Sequence, residues 1–485
     1  MNSKKLRIKN IKNFLKNKKN KIVIWGFGLT GKSLLKWCLN HLSKENEYII
    51  IDKEEKDLSE YSFNLIVSFL NEEKMNCAFY GADFILLSPG IKIDKITFIW
   101  YHKIIPELDL FYFLINQKKI KSILVTGSIG KSSLISIIQH NIAPYQKAIL
   151  CGNIGFPLMN FVTHGLSTKE IFCIEASDAQ LKHAVLVSPT IFLITNIFKN
   201  HLNFHKTFHD YIKAKLTPIK FQVNKIKNII LTDQAFNEIK KYIHVKDQEK
   251  IFTIVKTDTI NYKKSLVKKQ FRYIYLSNKK CFLDNKVILS KIPKISFASN
   301  WLMTAAVMRF FVKQEQNDLT TKIITTINLP NHRLKKIFSS EKIDIFNDSK
   351  STIIESSEAG LKQLKAIYPD QTMFFILIGG LSKGVDRTEG ILKIKNQERI
   401  KIAIFGKEMS LFKEKFTAEQ NIIYEEEIKK SLEKILELTT LFKKSVILFS
   451  PGGSSFDQFS SFEERGNYFD ELIEAYTSKE SNLDH

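Results

Sequence analysis

With 485 residues the chain is long for a single core and predicts two to four domains. Its 44% apolar and 25% charged residues are an ordinary globular mixture, which excludes fibrous and disordered classes. The net charge of +23 invites a nucleic-acid partner, yet only seven of the 73 basic residues are Arg and the Lys are spread from end to end; without the planar forks that read guanine and stack on bases, the charge reads as compositional drift.

The five cysteines, Cys38, Cys77, Cys151, Cys173 and Cys281, have no paired spacing, so neither a disulfide frame nor a zinc site is indicated. Met1 to Asn20 is basic without an apolar core segment, and no uncharged apolar run reaches the ~18 residues of a membrane helix. A reducing, cytoplasmic setting with no membrane and no nucleic-acid partner is expected.

After a Lys-rich arm, Lys21 to Trp25 is a buried-strand pattern that runs into Gly26-Phe27-Gly28-Leu29-Thr30-Gly31-Lys32-Ser33. This segment satisfies both the dinucleotide fingerprint Gly-x-Gly-x-x-Gly and the longer phosphate loop ending Gly-Lys-Ser. The next strand, Tyr48 to Ile51, ends in Asp52, where a Rossmann-like unit meets a ribose hydroxyl; that favours a nucleotide-binding Rossmann-like domain with Lys32 on the helix surface. Further strands are predicted at Phe63 to Val67 and at Phe84 to Leu87, the latter running into Ser88-Pro89-Gly90. The domain is predicted to span 1–115.

A central domain, 116–328, opens with Ile123-Leu124-Val125-Thr126-Gly127-Ser128-Ile129-Gly130-Lys131-Ser132-Ser133, a strand that passes through two glycines into a helix start. Glycines let the backbone approach a polyphosphate, amide N–H groups at a helix N-terminus face its oxygens, and Lys131 would neutralise the β/γ end. Ser132 is placed to ligate Mg²⁺, and Glu175, closing the strand Phe172 to Ile174, is either a solvated strand-end carboxylate or, paired with Ser132, the acid that commonly completes such a site. Cys151-Gly152-Asn153-Ile154-Gly155 is a glycine-bracketed turn after another strand. His201, His205 and His209 fall at helical spacing, but the Phe, Asn and Lys between them argue against zinc. Residues 245–290 alternate Lys with β-formers and predict a peripheral sheet.

The third domain, 329–485, begins around Leu329-Pro330-Asn331-His332-Arg333. Its markers are Asn347-Asp348-Ser349-Lys350-Ser351-Thr352, Ile376-Leu377-Ile378-Gly379-Gly380 with Lys383 following, and Phe449-Ser450-Pro451-Gly452-Gly453-Ser454-Ser455-Phe456-Asp457-Gln458-Phe459. Each is an apolar strand ending in a small polar turn, the sign of parallel strands whose C-terminal ends line a crevice. The fold class expected is α/β in three domains: a Rossmann-like N-terminal domain, a central P-loop ATPase-like domain and a C-terminal Rossmann-like domain.

The order of these motifs, from Gly-x-Gly-x-x-Gly through Thr-Gly-Ser-x-Gly-Lys-Ser, Glu-x-Ser-x-x-Gln-Leu, Ala-Lys-Leu and Asn-Asp-Ser-Lys-x-Thr to Ser-x-Asp-Gln-Phe, resembles the Mur ligases of peptidoglycan synthesis over nearly the whole chain. The Asn347 to Lys350 and Ser455 to Phe462 stretches resemble those members that add D-glutamate to UDP-N-acetylmuramoyl-L-alanine with ATP, through an acyl phosphate. The resemblance implies that Gly28, Leu29, Thr30, Asp52, Lys53, Gly90 and Asn153 hold the UDP-substrate. It implies that Gly127, Ser128, Ile129, Gly130, Lys131, Ser132 and Ser133, with Asn300, Arg333 and Asp348, hold ATP. Ser132 and Glu175 would bind one Mg²⁺, and His201 with Lys215, the latter as a carbamate, a second. Lys350, Thr352, Lys383, Ser455 and Phe462 would receive D-glutamate; Lys131, His201, Lys215 and Lys350 are the catalytic set implied. A monomer is expected.

The chain departs from the family pattern at Ile129, which stands where Asn is usual, and at Ser299 and Met303, which leave Asn300 as the surviving adenine-side contact. Three other readings compete. A folylpolyglutamate synthetase-like ligase lacks the Gly26 to Asp52 unit, a dinucleotide oxidoreductase leaves Lys131, Lys215 and Lys350 unexplained, and a basic nucleic-acid protein would need clustered Arg.

Overall fold

The computed structural model describes residues 3–16, 18–55, 57–61, 66–70, 75–93, 97–163, 165–222, 226–243, 252–256, 272–277, 280–283, 286–291, 296–311, 319, 323, 331–416 and 422–481. Packing divides the chain into two compact units, Met1–Ile197 with His209–Ile327, and Phe198–Phe208 with Asn328–His485.

In the first unit the Lys-rich arm is a helix, Ser3–Phe14, because Arg7, Ile11 and Phe14 recur on one face and are buried there. The first sheet contains β1 (Lys21–Trp25), β2 (Glu47–Ile51), β3 (Ile66–Leu70), β4 (Phe84–Leu87) and β5 (Ile104–Pro106). Its order is β3-β2-β1-β4-β5 and every pairing is parallel. Such sheets are covered on both faces, which is why β1 and β2 read as unbroken apolar runs and not as alternation. The order reverses between β1 and β4, so the crevice lies beyond their C-terminal ends, where the Gly-rich turn begins. Gly31 cannot carry a side chain: a Cβ there would stand 2.2 Å from the Gly26 carbonyl oxygen. The strand predicted at Phe63 to Val67 is observed from Ile66 onward; Phe63, Asn64 and Leu65 lie outside the described residues.

The second sheet, also in the first unit, has nine strands. They are β6 (Lys121–Thr126), β7 (Lys147–Gly152), β8 (Glu170–Glu175), β9 (Ile191–Ile194), β10 (Asn228–Thr232), β11 (Phe252–Lys256), β12 (Arg272–Ser277), β13 (Lys280–Leu283) and β14 (Lys286–Leu289). The order is β14-β13-β12-β11-β10-β9-β6-β8-β7. Pairings are parallel except β12 with β13 and β13 with β14. The Lys-alternating stretch is therefore the edge of this sheet and not a separate one. Its short loops permit antiparallel pairing, and its alternation of Lys with β-formers suits strands with one face open to water. Central β6 has β8 and β9 on either side, which sets the acid at the end of β8 beside the turn that follows β6.

The second unit holds β15 (Lys335–Ser339), β16 (Ile343–Asn347), β17 (Met373–Ile378), β18 (Ile400–Phe405), β19 (Ile422–Glu425) and β20 (Ser445–Phe449), in the order β15-β16-β20-β17-β18-β19. Only β15 runs antiparallel to its neighbour. Along β17, Phe374, Ile376 and Ile378 enter one apolar cluster while Met373, Phe375 and Leu377 enter the other, the period-2 division of a strand buried on both sides. Leu329 and Pro330 of the predicted opening turn lie outside the described residues.

Candidate active site

The turn after β6 is braced from β9. Gly127 has φ +142, and a Cβ there would meet Thr195 Oγ1 at 2.0 Å, so only glycine lets the turn lie against that strand. The Asn196 carbonyl accepts from Ser128 N–H at 2.9 Å, and its side-chain oxygen accepts from Ile129 N–H at 2.9 Å. The Ile129 carbonyl in turn accepts from Thr195 Oγ1 at 2.6 Å and Asn196 Nδ2 at 3.2 Å. Ile129 thus supplies no side-chain donor, and its peptide is held by Thr195 and Asn196. Gly130, at φ +79, ends the turn as the N-cap of helix Lys131–Ile142, and Ser132 and Ser133 are buried in its first turn.

Charge converges on this turn. Lys131 Nζ donates to the carbonyls of Gly127 and Ser128, both at 3.0 Å. Lys215, at the end of helix Phe208–Lys215 and fully buried, donates to the same Gly127 carbonyl at 2.9 Å and lies 3.6 Å from Asp178. Its ammonium also sits 4.5 Å from the centre of the Tyr211 ring. Burial, reinforced by the Lys131 charge and opposed by Asp178 and Glu175, brings its pKa down to about 7. Near neutral pH a sizeable fraction of this lysine is therefore an uncharged amine. Glu175 is buried and its Oε1 accepts from Asn153 Nδ2 at 2.9 Å, which joins the Gly152–Gly155 turn to the acid. Asn300, on helix Ala298–Met308, is buried with its carboxamide oxygen 3.9 Å from where a Cβ on Gly130 would stand. The structure brings the loop, Lys215, Glu175, Asn153 and Asn300 together.

Of the predicted UDP-substrate residues, Gly28, Leu29, Thr30, Asp52, Lys53 and Gly90 follow strands of the first sheet, whereas Asn153 follows β7 of the second. Asp52 Oδ2 accepts from Phe27 N–H at 2.6 Å, and its Oδ1 from Lys53 N–H at 2.8 Å, so this carboxylate braces the Gly-rich turn. Ser88 Oγ donates to the Gly26 carbonyl at 2.7 Å, drawing the Ser88–Gly90 turn beside it. Gly28 caps helix Leu29–His41, which carries Thr30, and Leu29 is 77% exposed.

In the second unit, Asp348, Lys350, Thr352, Lys383, Ser455 and Phe462 follow β16, β17 and β20, and Arg333 precedes β15. Lys350 Nζ stands 3.5 Å from the centre of the Phe462 ring, and Lys350 N–H donates to the His332 carbonyl at 3.1 Å. Thr352 follows on the same turn and Ser455 is buried after β20. Lys383 has φ +53 and lies in the turn after β17. Asp348 is buried, accepting from Leu334 N–H at 3.1 Å and Ser450 Oγ at 2.8 Å; burial pushes its carboxyl up to about 7 against the pull of those bonds and of Arg333 and Arg465. His201, with φ +53, belongs to this unit through the 198–208 segment. Several residues that shape the site carried no sequence signal as single letters. Asp178 hides at an x of Glu-x-Ser-x-x-Gln, behind a capping box formed by Ser177 and Gln180. Thr195, Asn196, Arg387 and Arg465 work through buried polar contacts that only tertiary structure displays.

Mg²⁺ fits the loop. The donors are the hydroxyl of buried Ser132 at the helix start and the carboxylate of buried Glu175 at the end of β8, both hard oxygen ligands. Among the described residues no group of three or more His, Cys, Asp or Glu could hold an ion alone.

Residues 125–308 match the Mur ligase middle domain. The UDP-N-acetylmuramoylalanine--D-glutamate ligase of Buchnera aphidicola subsp. Schizaphis graminum is 31% identical over 95% of this chain and 98% of its own length. The ligase of the same name from Prochlorococcus marinus is 27% identical over 96% of each. Among solved structures, the UDP-N-acetylmuramate-alanine ligase of Thermotoga maritima superposes with a TM-score of 0.54 at 15% identity, covering 95% of this chain and 100% of that one. A UDP-N-acetylmuramoylalanyl-D-glutamyl-2,6-diaminopimelate--D-alanyl-D-alanyl ligase from Acinetobacter baumannii gives 0.54 at 13%, covering 96% and 98%. These two share the fold. A cradle of two lysines and a buried acid at a glycine turn, on a chain that aligns end to end with these ligases, makes this protein a member of the Mur ligase family.

Proposed function

We propose that the chain joins D-glutamate to UDP-N-acetylmuramoyl-L-alanine at the expense of ATP, as a monomer, in cytoplasmic peptidoglycan precursor synthesis. Its full-length relatives bear that activity in their names, and among the described residues no helix is long and apolar enough to cross a membrane. The observation that carries the chemistry is the convergence of Lys131 and Lys215 on the Gly127 carbonyl beside Glu175 and Asp178.

The alanine carboxylate attacks the γ-phosphorus of ATP, ADP leaves, and the acyl phosphate is attacked at its carbonyl by the D-glutamate amine. The tetrahedral adduct expels phosphate, and the amine loses a proton as the amide forms. Two anions must meet in the first step, so the chain's task is screening and alignment. Lys131 screens the transferring phosphoryl group, and the helix that starts at Lys131 turns its N-terminal dipole to the same charge. Mg²⁺, held from this chain by the Ser132 hydroxyl and Glu175, supplies further positive charge at the phosphate oxygens when bound. Lys215, as an uncharged amine shielded from water, is set up for carbamylation, which turns the amine into an anionic, hard oxygen ligand. Asp52 and the Gly28–Thr30 helix start hold the uridine diphosphate, with Asn153 on the muramoyl side. Lys350 and Lys383 answer the two carboxylates of D-glutamate, with Thr352, Ser455 and Phe462 around them.

Phosphate release from ATP, Mg²⁺ and UDP-N-acetylmuramoyl-L-alanine tests the proposal. Release should rise steeply with D-glutamate and stay near background with L-glutamate or no acceptor. Release indifferent to D-glutamate would refute it.

A further inference from the structure

Arg387 lies outside every motif that carries the proposed reaction, yet it is 3% exposed and placed among main-chain carbonyls at the end of the third sheet. Its Nη1 donates to the carbonyls of Gly379 at 2.8 Å and Gly452 at 3.1 Å; its Nη2 donates to the Gly380 carbonyl at 2.6 Å and to Glu408 Oε2 at 2.9 Å. One guanidinium thus ties the turn after β17 to the turn after β20. The other oxygen of Glu408 accepts from Ser382 N–H at 2.9 Å and Ser382 Oγ at 3.0 Å, one residue before Lys383. The same turns are sewn together by a reciprocal pair, Leu381 N–H to the Ser454 carbonyl and Ser454 N–H to the Leu381 carbonyl, both 2.9 Å.

Composition makes the choice of residue informative. A chain with only seven Arg among 73 basic residues has a Lys almost everywhere a positive charge suffices. An ammonium is a point charge with three donors and cannot reach four acceptors spread across a plane, whereas a guanidinium can. The fork is what this position requires. The backbone it holds is demanding: Gly380 has φ +72, and Lys383 has φ +53, a left-handed conformation unusual for a long side chain. A residue in that conformation persists only where its surroundings fix it.

We infer that Arg387, acting through Glu408, is a positioning residue that fixes the Gly379–Lys383 turn so that the Lys383 ammonium is aimed at a carboxylate of the amino-acid acceptor. The inference rests on the proposed D-glutamate ligase reading, in which Lys383 receives that carboxylate. Loosening the turn leaves phosphoryl transfer in place and weakens acceptor binding.

Steady-state kinetics of Arg387→Lys, Glu408→Gln, Lys383→Ala and the double variant Arg387→Lys/Lys383→Ala test it, with melting temperatures recorded alongside. Arg387→Lys should raise KM for D-glutamate at least tenfold, leaving KM for ATP and for the UDP-substrate within twofold. Glu408→Gln should raise it about threefold, and it carries the test by itself should Arg387→Lys not fold. In the Lys383→Ala background Arg387→Lys should add less than twofold, because the group it aims is gone; a purely structural role would multiply instead. A raised KM in Lys383→Ala with none in Arg387→Lys or Glu408→Gln overturns the inference alone. An unchanged KM in Lys383→Ala removes the reading of Lys383 and the inference with it.

Discussion

Lys215 spends all its contacts inside the protein: a carbonyl, a carboxylate at 3.6 Å and an aromatic ring, with no solvent exposure. Burying a lysine this completely costs stability and favours its uncharged form, and a buried amine with a pKa near 7 is a nucleophile toward carbon dioxide. Lys215→Ala should lose at least a hundredfold in turnover and recover part of it with added formate or acetate, whose oxygens replace the carbamate; unchanged turnover would refute the role. Glu107 gives a stability test at the same scale. It is fully buried, its Oε1 has no hydrogen-bond partner, and burial raises its carboxyl to about 7 against backbone N–H donors from Met159 and Leu158. A folded pKa above the unfolded one means the folded state holds the proton more tightly, so stability present at low pH is lost as pH rises from about 4.5 to 7. Glu107→Gln, which does not titrate, should therefore gain on the wild type across that window by on the order of 3 kcal/mol, levelling above pH 7. Melting curves at pH 5 and pH 8 check this, and a constant difference would contradict it.

At the scale of elements, the nucleotide turn is held by its neighbour strand as much as by its own glycines. Asn196→Leu keeps the size of the side chain but leaves Ile129 N–H without its acceptor and the Ile129 carbonyl with one donor fewer. KM for ATP should rise about tenfold with the UDP-substrate KM little changed, and an unaltered ATP KM would show that the brace does not matter. What the sequence displayed and what it hid follow from the same physics. Strands buried on both faces, such as β1, β6 and β17, announce themselves as apolar runs, and their glycine turns follow directly. The Lys-rich helix Ser3–Phe14 escaped because its three buried residues include Arg7, which pairs with the buried Asp109 at 3.5 Å and so reads as one more basic residue in the arm. The edge strands β12 to β14 were legible as strands, but their membership of the central sheet depends on the parallel pairing of β11 with β12, which no local pattern announces. Asp178 and Arg387 were invisible for a third reason: each acts on main-chain or side-chain partners that only folding brings near.

Across the whole molecule the charge of +23 has to be reconciled with anionic substrates. Diffuse Lys gives a weak, salt-screened attraction for polyanions of every kind, while buried Lys215 acts at short range in low dielectric. Binding to duplex DNA should therefore be weaker than about 10 µM at 150 mM salt and fall linearly with the logarithm of salt concentration; salt-resistant, sequence-selective binding would contradict the reading of the charge. The central claim is that this fold brings a carboxylate to a phosphoryl group and then an amine to the resulting acyl phosphate. The most direct measurement supplies UDP-N-acetylmuramoyl-L-alanine labelled with ¹⁸O in the alanine carboxylate, together with ATP, Mg²⁺ and D-glutamate, and weighs the phosphate released. One carboxylate oxygen should appear in each phosphate formed, because the bond broken in the second step lies between the acyl carbon and that oxygen. Phosphate free of ¹⁸O, with amide product accumulating, would contradict the account.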